Sequence, residues 1–189
     1  MTPILVVPST AALILIDLQR AVDDPSWGPR NNPDAEQNVA RLLAAWRRTA
    51  RPIYHVRHDS TEPESTYRPG QAGHQFKPES QPLAHETVIP KRTNSAFIGT
   101  DLEARLRAAA HVQLFVVGVS TSNSVEATVR MAGNLGFQTW LIEDAAFTFD
   151  RKDWRERPRT AQEVHDMSLA NLSGEYCTIV TTADVLARA

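Results

Sequence analysis

The sequence predicts an α/β fold, a parallel sheet sandwiched between helices, and three observations carry that prediction. The apolar run Ala11–Ile16 is continuous rather than alternating, and Val112–Gly118 reads as another such strand, as in strands buried on both faces of a parallel sheet. Segments with helical spacing separate those runs, the β-α-β rhythm of right-handed crossovers. The chain has 189 residues, 42% of them hydrophobic, which suits one generous domain and fits two poorly.

In chain order, Ala11–Ile16 reads as the first strand, ending at Asp17. Asp34 to Ala50 reads as a helix, with Val39, Leu42, Leu43 and Trp46 on one face and Asp34 as its cap. Pro52–Arg57 is the second strand. From His58 to His85 the composition shifts to Pro, Gly, Ser, Glu and Gln, a loop long enough to be functional or an arm exchanged between copies. Thr87–Ile89 is a short strand delivering Lys91. Thr100 and Glu103 stand at capping-box spacing before a helix through Ala110. Val112–Gly118 is a strand, Ser124 to Leu135 a helix, and Gln138–Ile142 a strand. Glu143 to Arg159 reads as a charged loop. Thr160 and Glu163 open a helix to Leu172, Tyr176–Val180 is the last strand, and Ala183–Arg188 a terminal helix.

Composition excludes several classes of function. Twenty Lys plus Arg against 22 Asp plus Glu leave a formal charge of −2, without the cationic surplus that nucleic acid or an anionic membrane surface would require. No apolar stretch approaches the roughly 20 residues of a membrane span. Cys177, the single cysteine, excludes an internal disulfide framework and a multi-cysteine zinc site. The start, Met1 to Pro8, has no basic region ahead of its short apolar run. The expectation is a cytoplasmic protein acting on a small molecule.

Ligands of open α/β sheets bind beyond the carboxyl ends of the strands, and three features fall there. Asp17 ends the first strand, Lys91 follows the third, and Gly118–Val125 turns from strand into helix. Each has an ordinary reading: Asp17 as a loop-fixing acceptor, Lys91 with Arg92 as solvated surface, Asn123 with Glu126 as a capping box. Together they make a hydrolytic kit. A carboxylate can move a proton, an ammonium can steady negative charge, and a hydroxyl on a first helical turn sits beside unpaired backbone N–H groups.

On these residues the chain resembles the isochorismatase-like hydrolases, the cysteine hydrolase superfamily. Ile14–Gln19 looks like the family's first strand with its acid, and Lys91–Leu102 like its K-x-x-x-S-A-F-x-G-T-x-L block. Gly118–Thr121 with Val125–Ala132 and Leu135–Phe137 resembles the nucleophile helix, and Glu143–Ala145 closes the pattern. The resemblance covers nearly the whole chain, residues 1–189 as one domain. It implies a three-layer α/β/α sandwich with a Rossmann-like sheet, a triad of Asp17, Lys91 and Ser124, and a non-proline cis peptide at Val119–Ser120. That peptide and Ser124 would form an oxyanion hole. It also implies a homodimer or homotetramer.

The departure is Ser124, where the amidases of the family carry cysteine. Asp17 is a poor base for a serine hydroxyl. Three accounts stay open: a cysteine replaced by design, a natural serine in a non-covalent reaction that protonates a vinyl ether with Asp17, or a silent binding pocket. Cleavage of an amide, imide or carbamoyl C–N bond is the leading expectation. Cys177 reads as a small buried hydrophobe. No cofactor is expected and no metal: His55 and His58 lack the spacing of the zinc-binding members, and three apart on a strand they face opposite ways. Gln19, Trp27, His58, Phe97 and Phe149 are expected to contact substrate, with Tyr67, Phe147 and Trp154 as further walls and Arg68 and Arg92 as carboxylate partners.

Overall fold

The computed structural model describes residues 5–189; the opening Met1–Ile4, read above as part of a leaderless start, lies outside the described residues. The strands are β1 (Ala12–Ile16), β2 (Ile53–His58), β3 (Thr87–Lys91), β4 (Gln113–Val119), β5 (Gln138–Phe147), β6 (Arg151–Lys152), β7 (Pro158–Arg159) and β8 (Thr178–Val180). The helices are α1 (Ala35–Arg48), α2 (Leu102–Ala108), α3 (Glu126–Asn134), α4 (Ala161–Leu172) and α5 (Thr182–Leu186). Six strands form one parallel sheet in the order β3-β2-β1-β4-β5-β8. Strands β6 and β7 make a separate antiparallel hairpin.

The unbroken apolar character of β1 follows from cover on both faces. Leu13 and Leu15 point to a layer built on Val39, Leu42, Leu43 and Trp46 of α1 and Val185 of α5. Ala12, Ile14 and Ile16 point the other way, to Leu102 and Leu106 of α2, Val129 of α3 and Leu172 of α4. Fully burying each such side chain contributes roughly 1.5–3 kcal/mol, and Phe115 stacks on Trp140 at 4.9 Å in the centre of the first layer. Among the described residues no helix is long and apolar enough to cross a membrane.

The chain lays β2 and β3 to one side of β1 and then crosses to place β4 on the other, so β1 and β4 meet at a topological switch point. Gly118 permits that meeting. Its φ is +127°, and a Cβ there would come within 2.2 Å of the Ile16 carbonyl oxygen.

Several local expectations are corrected. Asp34 precedes α1 without a side-chain cap bond, and neither the turn before α3 nor α3 itself has one from Ser120 or Val125, so Asn123 and Glu126 form no capping box. Thr100 accepts from Leu102 N, but α2 begins after Asp101 and no box forms with Glu103. Thr160 and Glu163 do form one. The segment read as a charged loop from Glu143 begins as strand, because β5 shifts its register against β4 between Val116 and Gly118 and resumes pairing at Ala146 and Phe147. Glu143 and Asp144 sit in that irregularity. Asn32 Nδ2 donates to the carbonyls of Glu143 and Ala146, and Asp144 caps α5 through Thr182 N at 2.7 Å.

Candidate active site

The residue after β1 leaves extended geometry. Asp17 has φ 52°, a left-handed conformation unusual for a residue with a Cβ, and is held by Asp17 N donating to Val56 O at 3.0 Å. Its side chain thereby sits at the switch point, 3% exposed.

Lys91 ends β3, two strand spacings from β1, or about 10 Å, and its long stem spans that gap beneath the end of β2. Its Nζ donates to Asp17 Oδ2 at 2.6 Å, to Thr93 O at 3.0 Å and to Ser124 Oγ at 3.2 Å, with His58 Nδ1 at 3.3 Å. Four acceptors surround three protons. Among the described residues, Asp17 Oδ1 is buried without a hydrogen-bond partner. Burial raises the Asp17 carboxyl above its ordinary value, against the opposing pull of Lys91. Burial, and then Lys91, hold the His58 imidazole below its ordinary value, which favours the neutral ring.

From β4 the chain passes through a cis peptide at Val119–Ser120 into a wide π-type turn, Thr121–Val125, and on into α3. Turns of this kind recur at functional sites because they re-aim one residue against the helix that follows. Here the turn brings Ser124, 6% exposed, against Lys91. The Ser120 hydroxyl pairs with Thr148 Oγ1 at 2.6 Å.

Asp17, Ser124, Val119 and Ser120 line one cleft of about 230 Å3. The triad expected from the sequence therefore converges in space. Trp27 and His58 also line this cleft, as does Tyr67, whose hydroxyl donates to Asp17 O at 3.2 Å.

Gln19, Phe97 and Phe149 do not line it. Gln19 is fully buried, and its amide receives His58 N at 2.7 Å while donating to the carbonyls of His58 and His74. Its part is to tie β1 to the end of β2 and to the long segment beyond. Phe97 stacks on Phe137 at 5.8 Å, away from the cleft. Phe149 packs behind Trp27 at 5.1 Å and so supports a wall without being one. Trp154 is 83% exposed near the β6–β7 hairpin, Phe147 lies under the Arg30 guanidinium, and neither Arg68 nor Arg92 reaches the cleft.

Further polar lining comes from residues that pattern reading passed over: Ser60, Glu62, Ser65, Asn94 and Asn123. The first three belong to the segment from 58 to 85, which turns through Ala72–His74 and Pro78–Ser80 and bridges back to β1 through Gln19 and Phe76. No periodicity marks such residues; only the density of Ser and Pro hinted at turns.

His55 and His58 face opposite ways, His55 Nε2 meeting Glu86 at 2.8 Å and His58 the cleft. Among the described residues no group of three or more His, Cys, Asp or Glu side chains is placed to hold a metal ion. Cys177 is buried beside β8, at the sheet edge beyond β5, and burial pushes its thiol up to about 12.

A parallel sheet with a buried Asp–Lys pair and a hydroxyl converging at its switch point defines an α/β enzyme of the hydrolase class. The chain belongs to the isochorismatase family: the Isochorismatase domain matches residues 11–184. An isochorismatase-family protein from Chromobacterium violaceum ATCC 12472 is 63% identical and superposes with a TM-score of 0.96 over 100% of this chain and 98% of that one. The isochorismatase family protein YrdC of Bacillus subtilis (strain 168) is 39% identical over 175 residues, 93% of this chain and 94% of its own. More distantly, the ureidoacrylate amidohydrolase RutB of Variovorax paradoxus (strain S110) is 25% identical over 178 residues, covering 76% of this chain and 71% of its own.

Proposed function

We propose that this protein hydrolyses a C–N bond, of amide, imide or carbamoyl type, in a small molecule, with Ser124 as nucleophile, Asp17 as proton carrier and Lys91 as its electrostatic anchor. The observation that carries this reading is the unpartnered Asp17 Oδ1 in the same cleft as Ser124, while Lys91 holds Oδ2. In the forward step Ser124 Oγ bonds to the carbonyl carbon and its proton passes to Asp17. Backbone N–H groups of the 119–124 turn receive the oxyanion, as preorganised donors do in acyl transfer. Collapse breaks the C–N bond, and the leaving nitrogen takes the proton from Asp17. Water then cleaves the acyl ester by the same route in reverse, restoring Ser124. An amidohydrolase among the relatives supports the bond type.

A second reading rests on the burial that raises the Asp17 carboxyl: a protonated Asp17 could act as general acid on a vinyl ether, with no bond to Ser124. Turnover of a panel of small amides and N-carbamoyl acids by wild type, Ser124→Ala and Ser124→Cys tests the covalent reading. We expect Ser124→Ala to lose at least about a hundredfold in kcat and Ser124→Cys to exceed wild type, the thiol being the stronger nucleophile. Unchanged turnover in Ser124→Ala would overturn the covalent route. No turnover by wild type or Ser124→Cys would overturn amide hydrolysis.

A further inference from the structure

The charges around the cleft are one-sided. Its ionisable lining consists of Asp17, His58, Tyr67 and Glu62, with no Arg or Lys among them. Lys91 lies behind, 1% exposed, and its three protons are already contested by Asp17, Thr93, Ser124 and His58. Of the cations nearby in sequence, Arg20 and Arg92 do not line the cleft, and two others are engaged elsewhere. Arg57 is turned onto Asp59 at 2.8 Å, and Arg68 donates to the Pro63 carbonyl. A carboxylate on a substrate would thus enter a site that offers it no matching charge, and lose hydration without compensation.

Glu62 presents the opposite opportunity. Its backbone is fixed, N donating to Ser60 Oγ at 3.2 Å and its carbonyl accepting from Ser65 N at 3.2 Å, while the carboxylate has no cationic partner among the described residues. Ser60 and Ser65 line the same cleft, their hydroxyl oxygens accepting from Glu62 N and Tyr67 N. An ammonium carries three donors and matches such a group of acceptors. The cleft, about 230 Å3, falls below the roughly 300–1,000 Å3 of drug-sized pockets, so its size suits a small molecule.

Building on the hydrolytic reading above, we infer that the substrate is a short amide whose far end is a protonated amine, and that Glu62 at the cleft rim is the residue that selects it over carboxylate-bearing analogues.

Three short primary amides separate the charge states: β-alaninamide (cationic), propionamide (neutral) and succinamate (anionic). Binding of each to wild type, Glu62→Gln and Glu62→Lys, followed by ligand-observed NMR titration, reads charge selection directly. Ammonia release is measured in parallel. We expect wild type to bind β-alaninamide roughly three- to fivefold tighter than propionamide, the size of effect an exposed ion pair supplies, and succinamate weakest. Added salt should narrow that spread. Glu62→Gln should remove the preference and Glu62→Lys should turn it toward succinamate. Succinamate binding wild type as well as β-alaninamide does, a preference that survives Glu62→Gln, or no binding of any probe would overturn the inference. Binding in the expected order without ammonia release counts against the hydrolytic reading alone and leaves the charge preference standing.

Discussion

Lys91 Nζ lies 2.6 Å from Asp17 Oδ2, while the other oxygen of that carboxylate is buried with no partner among the described residues. One oxygen of Asp17 is held by Lys91, and the other is the one the proposed mechanism uses for proton transfer. A buried carboxylate oxygen without a partner costs stability, and such perturbed groups cluster at functional sites.

Asp17→Asn should abolish turnover, since it removes the proton carrier, and should lower stability by about 3 kcal/mol because the Lys91 ammonium is left buried without its counter-charge. Steady-state kinetics and urea unfolding check the two effects separately. The wild-type pH profile carries its own sign. If Asp17 acts as a base, kcat/KM falls as pH drops through a value above the ordinary 3.8. An activity that instead rises as pH drops toward that value would favour the general-acid reaction.

Gln19 anchors the cleft without touching its contents. Gln19→Ala orphans the backbone N–H of His58 and two carbonyl groups, so a stability loss of about 2–3 kcal/mol is expected. KM should rise more than kcat falls, because His58 and the rim beyond it loosen while Ser124 keeps its place. Equal losses in both parameters would argue that Gln19 takes part in the chemistry.

Gly118→Ala should be among the most damaging single methyl additions. The new Cβ would lie 2.2 Å from backbone at Ile16, and φ +127° is itself strained for alanine. More than about 3 kcal/mol of lost stability, or failure to accumulate as folded protein, is expected. Gly99→Ala serves as the control: φ there is +68° with nothing within 4 Å, so only the conformational cost of about 1 kcal/mol applies.

Glu36 should govern part of the acid stability. Burial alone would raise its carboxyl, but Arg30, at 2.6 Å through both terminal nitrogens, and Lys77 overcome that and hold it at about 2. A carboxylate depressed in the fold stabilises above its unfolded pKa, and that contribution is lost as pH falls through the folded one. Wild type should therefore lose about 2 kcal/mol between pH near 5 and pH near 2 from this group, which is 9% exposed, after part of the ion-pair gain is offset by desolvation. Glu36→Gln should start less stable at neutral pH and show a flatter decline. Parallel acid curves for both would rule the contribution out.

Short apolar runs bounded by turn signals suit strands covered on both sides, so Ala11–Ile16 and Val112–Gly118 pointed to a parallel sheet without reference to any partner. The switch-point rule then drew attention to Asp17, Lys91 and the turn at Ser124, since strand ends are local features. Which neighbouring side chains share their cleft was a different matter. Phe97 and Phe149 are aromatic near the site in sequence, yet one stacks on Phe137 and the other stands behind Trp27. Glu62, Ser60 and Ser65 come from a segment with no periodicity to read, and β5 hid its second half because Glu143 and Asp144 interrupt the apolar run where its register shifts. Sequence determined the sheet and the ends of its strands, because periodicity and burial act locally along the chain, and the family resemblance, not periodicity, put Asp17, Lys91 and Ser124 forward as a triad at those ends. Only the tertiary structure decided the lining of the cleft, the absence of a spare cation there and the clash that requires Gly118, because each depends on distances between segments far apart in the chain.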